Sequence, residues 1–316
     1  VLVTGAGGFI GGAVAARYRS AGREVWGVDL REGPGVEAAD ISRPGRWERR
    51  ADGCSLVVHT AAVVSNAADP ETVWAVNVTG TARVLAAARS VGVERLVLFS
   101  SAAVYSHRRP DVVTEDEPVR PGATAYGDSK IVAEHLALQA HATGELEVVI
   151  VRPANVYGPG SVPWTIQPVR NLRAGRVVLP AMGRGVFDPV YVDDLVGATV
   201  TAAGSPGAAG RVFNVGGGRP LSTAEFFGHY ARMLGVDAPR AAPTPVATGL
   251  AAAVAGWSRL RGRRSEVAPA TMRMLSSTGS LSIERARRLL GWEPAVDLAE
   301  GMARTEAWLH GQGELA

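Results

Sequence analysis

Tyr126-Gly127-Asp128-Ser129-Lys130 sets a phenol and an ammonium four residues apart. In a helix that spacing puts both on one face. A free tyrosine, with a pKa of about 10, is a poor base at neutral pH. A neighbouring ammonium and an oxidised nicotinamide both favour the phenolate, so the pKa of Tyr126 is expected to fall. Lys130 is the only lysine in the chain; the rest of the 33 Lys+Arg are arginines. A compact donor on a flexible stem can support the phenolate and also hold a nicotinamide ribose, tasks that the wide fork of arginine fits poorly. The alternative is a surface helix with an incidental Tyr and Lys. Upstream, Phe99-Ser100-Ser101-Ala102-Ala103-Val104-Tyr105 closes an apolar run. A hydroxyl at the carboxyl end of a strand faces a ligand crevice. Ser101 is therefore the candidate to bind a substrate oxygen and steady a developing alkoxide, with Ser100 beside it. A serine in such a turn otherwise caps backbone groups.

The second chemical signal is Thr4-Gly5-Ala6-Gly7-Gly8-Phe9-Ile10-Gly11, between the apolar run Val1-Leu2-Val3 and a helix pattern. Gly5, Gly8 and Gly11 would permit a tight turn, a close approach of backbone to a pyrophosphate, and close packing of helix on strand. The N–H groups at Phe9, Ile10 and Gly11, with the positive end of the helix dipole, favour phosphate. A glycine triplet alone is weak, but between strand and helix it reads as a dinucleotide loop rather than a structural turn. Asp29, 18 residues past Gly11, can accept both ribose hydroxyls of NAD and would repel a 2′-phosphate. NAD is the expected cofactor, with Arg31 keeping NADP in view. Asp40-Ile41 is a weaker candidate to flank the adenine. No metal is expected.

These groups need a frame. Strand candidates at Val1–Val3, Glu24–Asp29, Leu56–His59, Leu96–Ser100 and Val148–Arg152 alternate with helix patterns at Ile10–Ala21, Thr72–Val91 and Ala125–Ala142. The alternation predicts an α/β fold, a doubly wound parallel sheet with helices on both faces and ligands at the carboxyl ends of its strands. Further on come helix patterns at Trp164–Ala174 and from Val192 to Ala203, and a strand at Arg211–Val215. Helices then dominate at Thr223–Leu234, Val246–Leu260, Ile283–Leu290 and Leu298–Leu309, with a Pro/Ala linker at Ala238–Pro245. A chain of 316 residues is long for one core. Residues 1–155, joined by 186–217, are expected to bind the dinucleotide, and 156–185 with 218–316 to form a smaller substrate part.

Composition is that of an ordinary soluble protein, 47% hydrophobic and 20% charged. One cysteine, Cys54, excludes an intramolecular disulfide; it is read as inert packing, and a reducing cytosol fits. No signal peptide is expected before the first strand. The apolar stretch Pro245–Ser258 is shorter than the roughly 20 residues of a spanning helix, so the chain is read as cytoplasmic. A net charge of +3 makes no case for nucleic acid.

Taken together, Gly5-x-x-Gly8-x-x-Gly11, Asp29, Ser101, Tyr126-x-x-x-Lys130 and Arg152-Pro153-Ala154-Asn155-Val156-Tyr157-Gly158-Pro159 resemble the extended short-chain dehydrogenase/reductases, the NAD-dependent epimerase/dehydratase superfamily. The likeness spans nearly the whole chain and extends to Leu290-Gly291-Trp292-Glu293-Pro294 near its end. It implies a Rossmann domain of about seven parallel strands with a smaller C-terminal substrate domain. It also implies catalysis by Ser101, Tyr126 and Lys130, and cofactor contacts at Ala61, Ala62 and Ser100 and near Pro153. Ala103 and Asn155 would face the substrate. Asn77 is similar to a helix asparagine that helps a proton relay in relatives. His59 reads as a core histidine. A homodimer built on two helices per subunit is a family expectation.

Within that family the small-molecule substrate divides the readings. Dehydratases usually carry an Asp-Glu pair where this chain has Ala102 and Ala103, so no group stands ready to expel water. Nucleotide-sugar enzymes tend to have an arginine that clamps the diphosphate where this chain has Phe187, unless Arg184, Arg211 or Arg219 substitutes. His59-Thr60-Ala61-Ala62, Phe187–Val192 and the insert before Arg261 look more like 3β-hydroxysteroid dehydrogenases, which implies hydride transfer at a secondary alcohol or ketone. The insert Val246–Leu260 would cap an apolar pocket. Trp257 with Arg259, Arg261, Arg263 and Arg264 reads first as a solvated helix end over ordinary core packing, and second as a contact for an anionic membrane surface. A nucleotide-sugar 4-epimerase using the same three residues is the alternative enzyme. A non-catalytic NAD(P)-binding regulator is the alternative of another class; such proteins often lose the Tyr or Lys retained here.

Overall fold

The computed structural model describes residues 1–316 apart from Arg108, Ala123, Arg263 and Ala316. Seven strands form the central sheet: β1 (Leu2–Thr4), β2 (Trp26–Asp29), β3 (Val36–Ala38), β4 (Leu56–His59), β5 (Arg95–Phe99), β6 (Glu147–Pro153) and β7 (Val212–Val215). Their order is β7-β6-β5-β4-β1-β2-β3, and every pairing is parallel. The chain winds outward in both directions from β1, so the crevice at the carboxyl ends of β1 and β4 is the switch point where such sheets bind ligands.

Strand alternation divides the interior into two cores. Leu96 and Leu98 of β5 and Val148 and Ile150 of β6 face one side, with Val84, Leu85, Ala133 and Ala137 of the helices Thr81–Ser90 and Ala125–Ala142. Val97, Phe99, Val149 and Val151 face the other, with Val14 and Ala15 of the helix Phe9–Ser20 and Leu195 and Ala198 of the helix Val192–Gly204. Residues buried on both faces explain why these strands read as continuous apolar runs. The second core continues without a break into the C-terminal region through Tyr157, Phe187, Phe226, Tyr230, Trp292, Met302 and Leu309.

The expected parallel α/β sheet is present, with differences in detail. β3 was not expected: Val-Glu-Ala is too short to show a period and lies at the sheet edge. The stretch expected as one helix over Thr72–Val91 runs from Pro70 to Ser90 but passes through a π turn at Ala75–Gly80. The helix Pro269–Leu275 has only seven residues, too few for a 3.6-residue period to show. Within the expected linker, Arg240–Ala241 pairs with Val178–Leu179, and the next helix begins at Thr244.

That helix, Thr244–Leu260, buries only Ala247 and Ala251. Those two side chains join the core that runs into the C-terminal region, while Trp257 and Leu260 at the helix end are exposed, in line with the first reading of this segment. Arg263 lies outside the described residues. Among the described residues no helix is long and apolar enough to cross a membrane.

Candidate active site

The glycine loop leaves β1 and turns into the helix Phe9–Ser20. Gly5 has φ +75°, and a Cβ there would lie 2.7 Å from the Ala61 nitrogen. At Gly11 a Cβ would meet the Gly5 carbonyl oxygen at 2.1 Å and Thr60 Oγ1 at 2.5 Å. Only hydrogen fits at either place, so helix, loop and the end of β4 close on one another. Around Gly8 the space is open: a Cβ would meet only the Gly5 oxygen, at 3.2 Å. No side chain caps the helix, and its first turn holds no acidic residue. Its leading N–H groups and dipole therefore face open space, as an anion requires. Asp29 accepts from the Gly7 N–H at 3.0 Å through Oδ2 and from the Leu30 N–H at 2.7 Å through Oδ1, so a carboxylate stands at the edge of the loop. These residues fit a dinucleotide, with pyrophosphate over Gly8–Gly11 and a ribose at Asp29.

The remaining cofactor candidates border this crevice. Ala61 and Ala62 follow β4 and are half-buried, Pro153 ends β6, and Ala39 donates its N–H to the Asp29 carbonyl at 2.7 Å, setting Asp40 and Ile41 beside the end of β2. The Asp40 carboxylate accepts from Ser42 Oγ at 2.6 Å, and that bond holds its pKa below the ordinary range. Ile41 is buried under Gly80, where a Cβ would meet Ile41 Cδ1 at 2.9 Å.

Tyr126 and Lys130 lie on the first turns of the helix Ala125–Ala142, which Thr124 caps by accepting from the Gly127 N–H at 3.0 Å. The helix start presses on the turn Ala102–Tyr105: a Cβ on Gly127 would be 3.1 Å from the Ala103 oxygen. This brings Tyr126 to Ser101, whose hydroxyl bonds the phenol and accepts from the Ala103 N–H at 3.1 Å. The fall in the tyrosine pKa expected from the sequence is not found in the chain alone. Burial pushes Tyr126 up, and the Ser101 bond only moderates it. The reason lies with Lys130. Its buried ammonium donates to the Phe99 carbonyl at 2.7 Å, and burial brings its pKa down to about 8 against the support of the Glu134 charge.

Glu134 is the centre that sequence reasoning missed. It accepts from Ser100 Oγ and takes a two-pronged bond from Arg152, Nε to Oε1 at 2.8 Å and Nη2 to Oε2 at 2.6 Å. Arg152 Nη1 donates to the Tyr105 hydroxyl at 2.7 Å, and Tyr105 donates to Asn214 Oδ1 at 2.7 Å. The Ser100 hydroxyl thus enters the network between helix and sheet, not the crevice, so any cofactor contact of Ser100 falls to its main chain. The available signal was spacing: Glu134 is one turn beyond Lys130, on the same helix face.

Asn77 sits on the π turn. Its Oδ1 accepts from the Val63 N–H at 2.8 Å, and its Nδ2 donates to the Val63 carbonyl at 3.1 Å and to Ser129 Oγ at 2.9 Å. It fastens the loop after β4 to the helix that carries Tyr126. His59 is buried between Thr4 Oγ1 at 2.7 Å and Thr81 Oγ1 at 2.9 Å, the core histidine that the sequence suggested.

On the substrate side, Ala102, Ala103 and Asn155 are half-buried, and the Asn155 N–H donates to the Asp188 carbonyl at 3.0 Å. Arg109 is half-buried, donates to Ser277 Oγ at 3.0 Å and lies in the field of Asp188. Phe187 is 1% exposed, stacked on Phe226 at 4.1 Å and edge-on to Trp164 at 4.9 Å. Of the three substitute arginines, Arg211 is at the wrong end: it precedes β7 and bonds the Gly207 carbonyl at 3.0 Å. Arg184 is exposed. Arg219 lines a cavity of about 540 Å³ with Tyr191, His229, Arg232 and Asp297, whose lining includes none of Ser101, Tyr126 and Lys130.

Residues 1–216 match the sequence profile described as the NAD dependent epimerase/dehydratase family. The chain is 34% identical over 281 residues to a dTDP-glucose 4,6-dehydratase of Streptomyces griseus, covering 87% of this chain and 77% of that one. It is 28% identical over 332 residues to a 3-beta-hydroxysteroid dehydrogenase of Mycolicibacterium neoaurum, covering 96% and 89%. Among solved structures it is similar to MoeE5 in complex with UDP-glucose and NAD, at a TM-score of 0.80 and 29% identity over 98% of each chain. The chain is thus an enzyme of the NAD dependent epimerase/dehydratase family, the extended short-chain dehydrogenase/reductases, and its cofactor is NAD.

Proposed function

We propose that the enzyme transfers a hydride at a secondary alcohol or ketone of a bulky apolar substrate, in the manner of a 3β-hydroxysteroid dehydrogenase. Residue 187 carries this reading: where a diphosphate clamp would stand there is a phenylalanine sealed in an aromatic core. Ala102 and Ala103 add that no acid pair is present to drive dehydration. Bound NAD supplies the hydride acceptor or, when reduced, the donor. Ser101 binds the substrate oxygen. Tyr126 gives or takes the proton on that oxygen. Lys130 holds the ribose and lends the phenolate its positive charge. Gly5, Gly8, Phe9, Ile10, Gly11, Asp29, Asp40, Ile41, Ala61, Ala62 and Pro153 shape the cofactor crevice, and Asn155 and Ala103 border the substrate.

Purified protein should reduce NAD with a 3β-hydroxysteroid. Tyr126→Phe should lower kcat by about 10²- to 10⁴-fold, the usual contribution of a positioned acid or base, and leave NAD binding near that of the parent. A Tyr126→Phe enzyme with full turnover would overturn the mechanism. The second reading, a nucleotide-sugar 4-epimerase, is favoured by Arg109, a half-buried cation beside Asp188. Tight binding of a UDP- or dTDP-sugar with none of a steroid would decide for it.

A further inference from the structure

The helix Thr244–Leu260 turns an apolar face outward. Val246, Leu250, Val254, Trp257 and Leu260 are between 48% and 84% exposed. At 100° per residue they fall within an arc of about 120°. Pro245, Gly249, Ala252, Ala253 and Gly256 are exposed on the same helix, and Arg259, at its end, is its one exposed charge. Helices with polar residues absent from the exposed side are normally covered.

The sequence that carries this helix holds charge of one sign. From Ala238 to Ser265 the sequence holds five arginines, Arg240, Arg259, Arg261, Arg263 and Arg264, and no Asp or Glu. Arg261 lies over the Trp257 ring at 4.5 Å, so a cation and an amphipathic aromatic stand together at the end of the apolar face. Arg264 is engaged with the Ala68 carbonyl at 2.9 Å and Asp69 at 3.0 Å, and Glu266 accepts from Ser65 and, at 3.0 Å, from the Asn66 N–H. The segment after the helix is therefore fastened to the loop that leaves β4 at the cofactor crevice.

We propose that this face seats the enzyme on an anionic lipid surface, with Val246, Leu250, Val254, Trp257 and Leu260 among the acyl chains and Arg261, over the Trp257 ring, at the headgroups. Apolar residues along one face with an arginine and a tryptophan at its end are what an interfacial helix requires. A second copy of the chain fits less well. A 17-residue helix is about 25 Å long and 10 Å across, roughly 250 Å² against the ~800 Å² per partner of a stable dimer. The inference does not depend on the substrate reading above.

The test is sedimentation of the full chain with vesicles of phosphatidylcholine alone and of phosphatidylcholine with phosphatidylglycerol. The protein should pellet with the anionic vesicles, not with the neutral ones, and should be released in ~1 M salt, where charges are screened beyond about 3 Å. Arg261→Gln should weaken binding about fivefold. Val254→Ser with Trp257→Ser should abolish it while NAD still raises the melting temperature as in the parent. Quenching of the parent by brominated lipid, lost in Trp257→Phe, locates the contact without any disruptive change. The proposal is overturned if anionic vesicles do not retain the protein, if the variants bind as the parent does, or if the face instead drives self-association without lipid.

Discussion

Lys130 is buried and Tyr126 half-buried on the first turns of one helix, and burial moves them in opposite directions. It raises the phenol and brings the ammonium down to about 8, because each is driven toward its neutral form. In ketone reduction both must hold their protons. Lys130 loses its proton as the pH rises through about 8. The kcat/KM for the reduced dinucleotide, which reports the free enzyme, should therefore be level at lower pH and fall by about tenfold per unit above that point. A profile level to about pH 10 would remove Lys130 from the role. Asp188 is the second strained ionisation. Burial pushes its carboxyl up to about 6 against the field of Arg109 and a bond from the Leu281 N–H. The folded state then binds the proton more readily than the unfolded one, so stability falls as the pH rises from 3.8 to about 6. Asp188→Asn should stabilise the protein by up to about 3 kcal/mol near neutral pH and give no gain near pH 4, as measured by urea unfolding. A gain of equal size at both would refute the assignment.

At the scale of elements, the helix expected over Thr72–Val91 and the π turn found within it show where sequence reasoning stops. Apolar period revealed a helix, but the register within it is decided by a polar contact. Asn77 is buried and ties the Val63 main chain to Ser129 on the neighbouring helix, and no periodicity encodes that bond. The same limit hid Glu134, whose partners are Arg152 on β6 and Ser100 just past the end of β5. By contrast the glycine loop could be read directly, because local geometry dictates its residue types: Gly5 and Gly11 leave no room for a side chain. Elements with many turns, such as Ala125–Ala142 and Thr223–Leu234, begin and end where their patterns do. Asn77→Ala tests the tie between elements. It would leave the Val63 N–H without its acceptor, at a cost of about 1–3 kcal/mol. We expect a melting temperature lower by a few degrees and a larger loss of kcat than of NAD affinity, because the helix that carries Tyr126 and Lys130, not the glycine loop, loses its support. Equal losses in both would mean that Asn77 serves the fold alone.

At the scale of the whole molecule, the two cores are separated by the sheet, and one of them is shared with the C-terminal region. His59 makes this assembly sensitive to acid. It joins β1 through Thr4, β4 through its own strand and the helix Thr81–Ser90 through Thr81. Burial, aided by the nearby Lys130 charge, brings its imidazole down from 6.5 to about 3. The unfolded chain takes up the proton near 6.5, whereas the folded chain refuses it until about 3. Between those values the unfolded state binds more protons, so stability falls as the pH falls. The cost is about 2 kcal/mol by pH ~5 and about 5 kcal/mol over the whole window. Asp188 acts in the opposite sense below about 6, which softens the acid limb without removing it. Urea unfolding of the parent and of His59→Gln, near neutral pH and at about pH 5, separates the two contributions. Whatever the variant costs at neutral pH, the parent should lose about 2 kcal/mol more than the variant does between the two conditions. Equal losses would place the acid sensitivity of the fold elsewhere than at the seam between β1, β4 and the helix Thr81–Ser90.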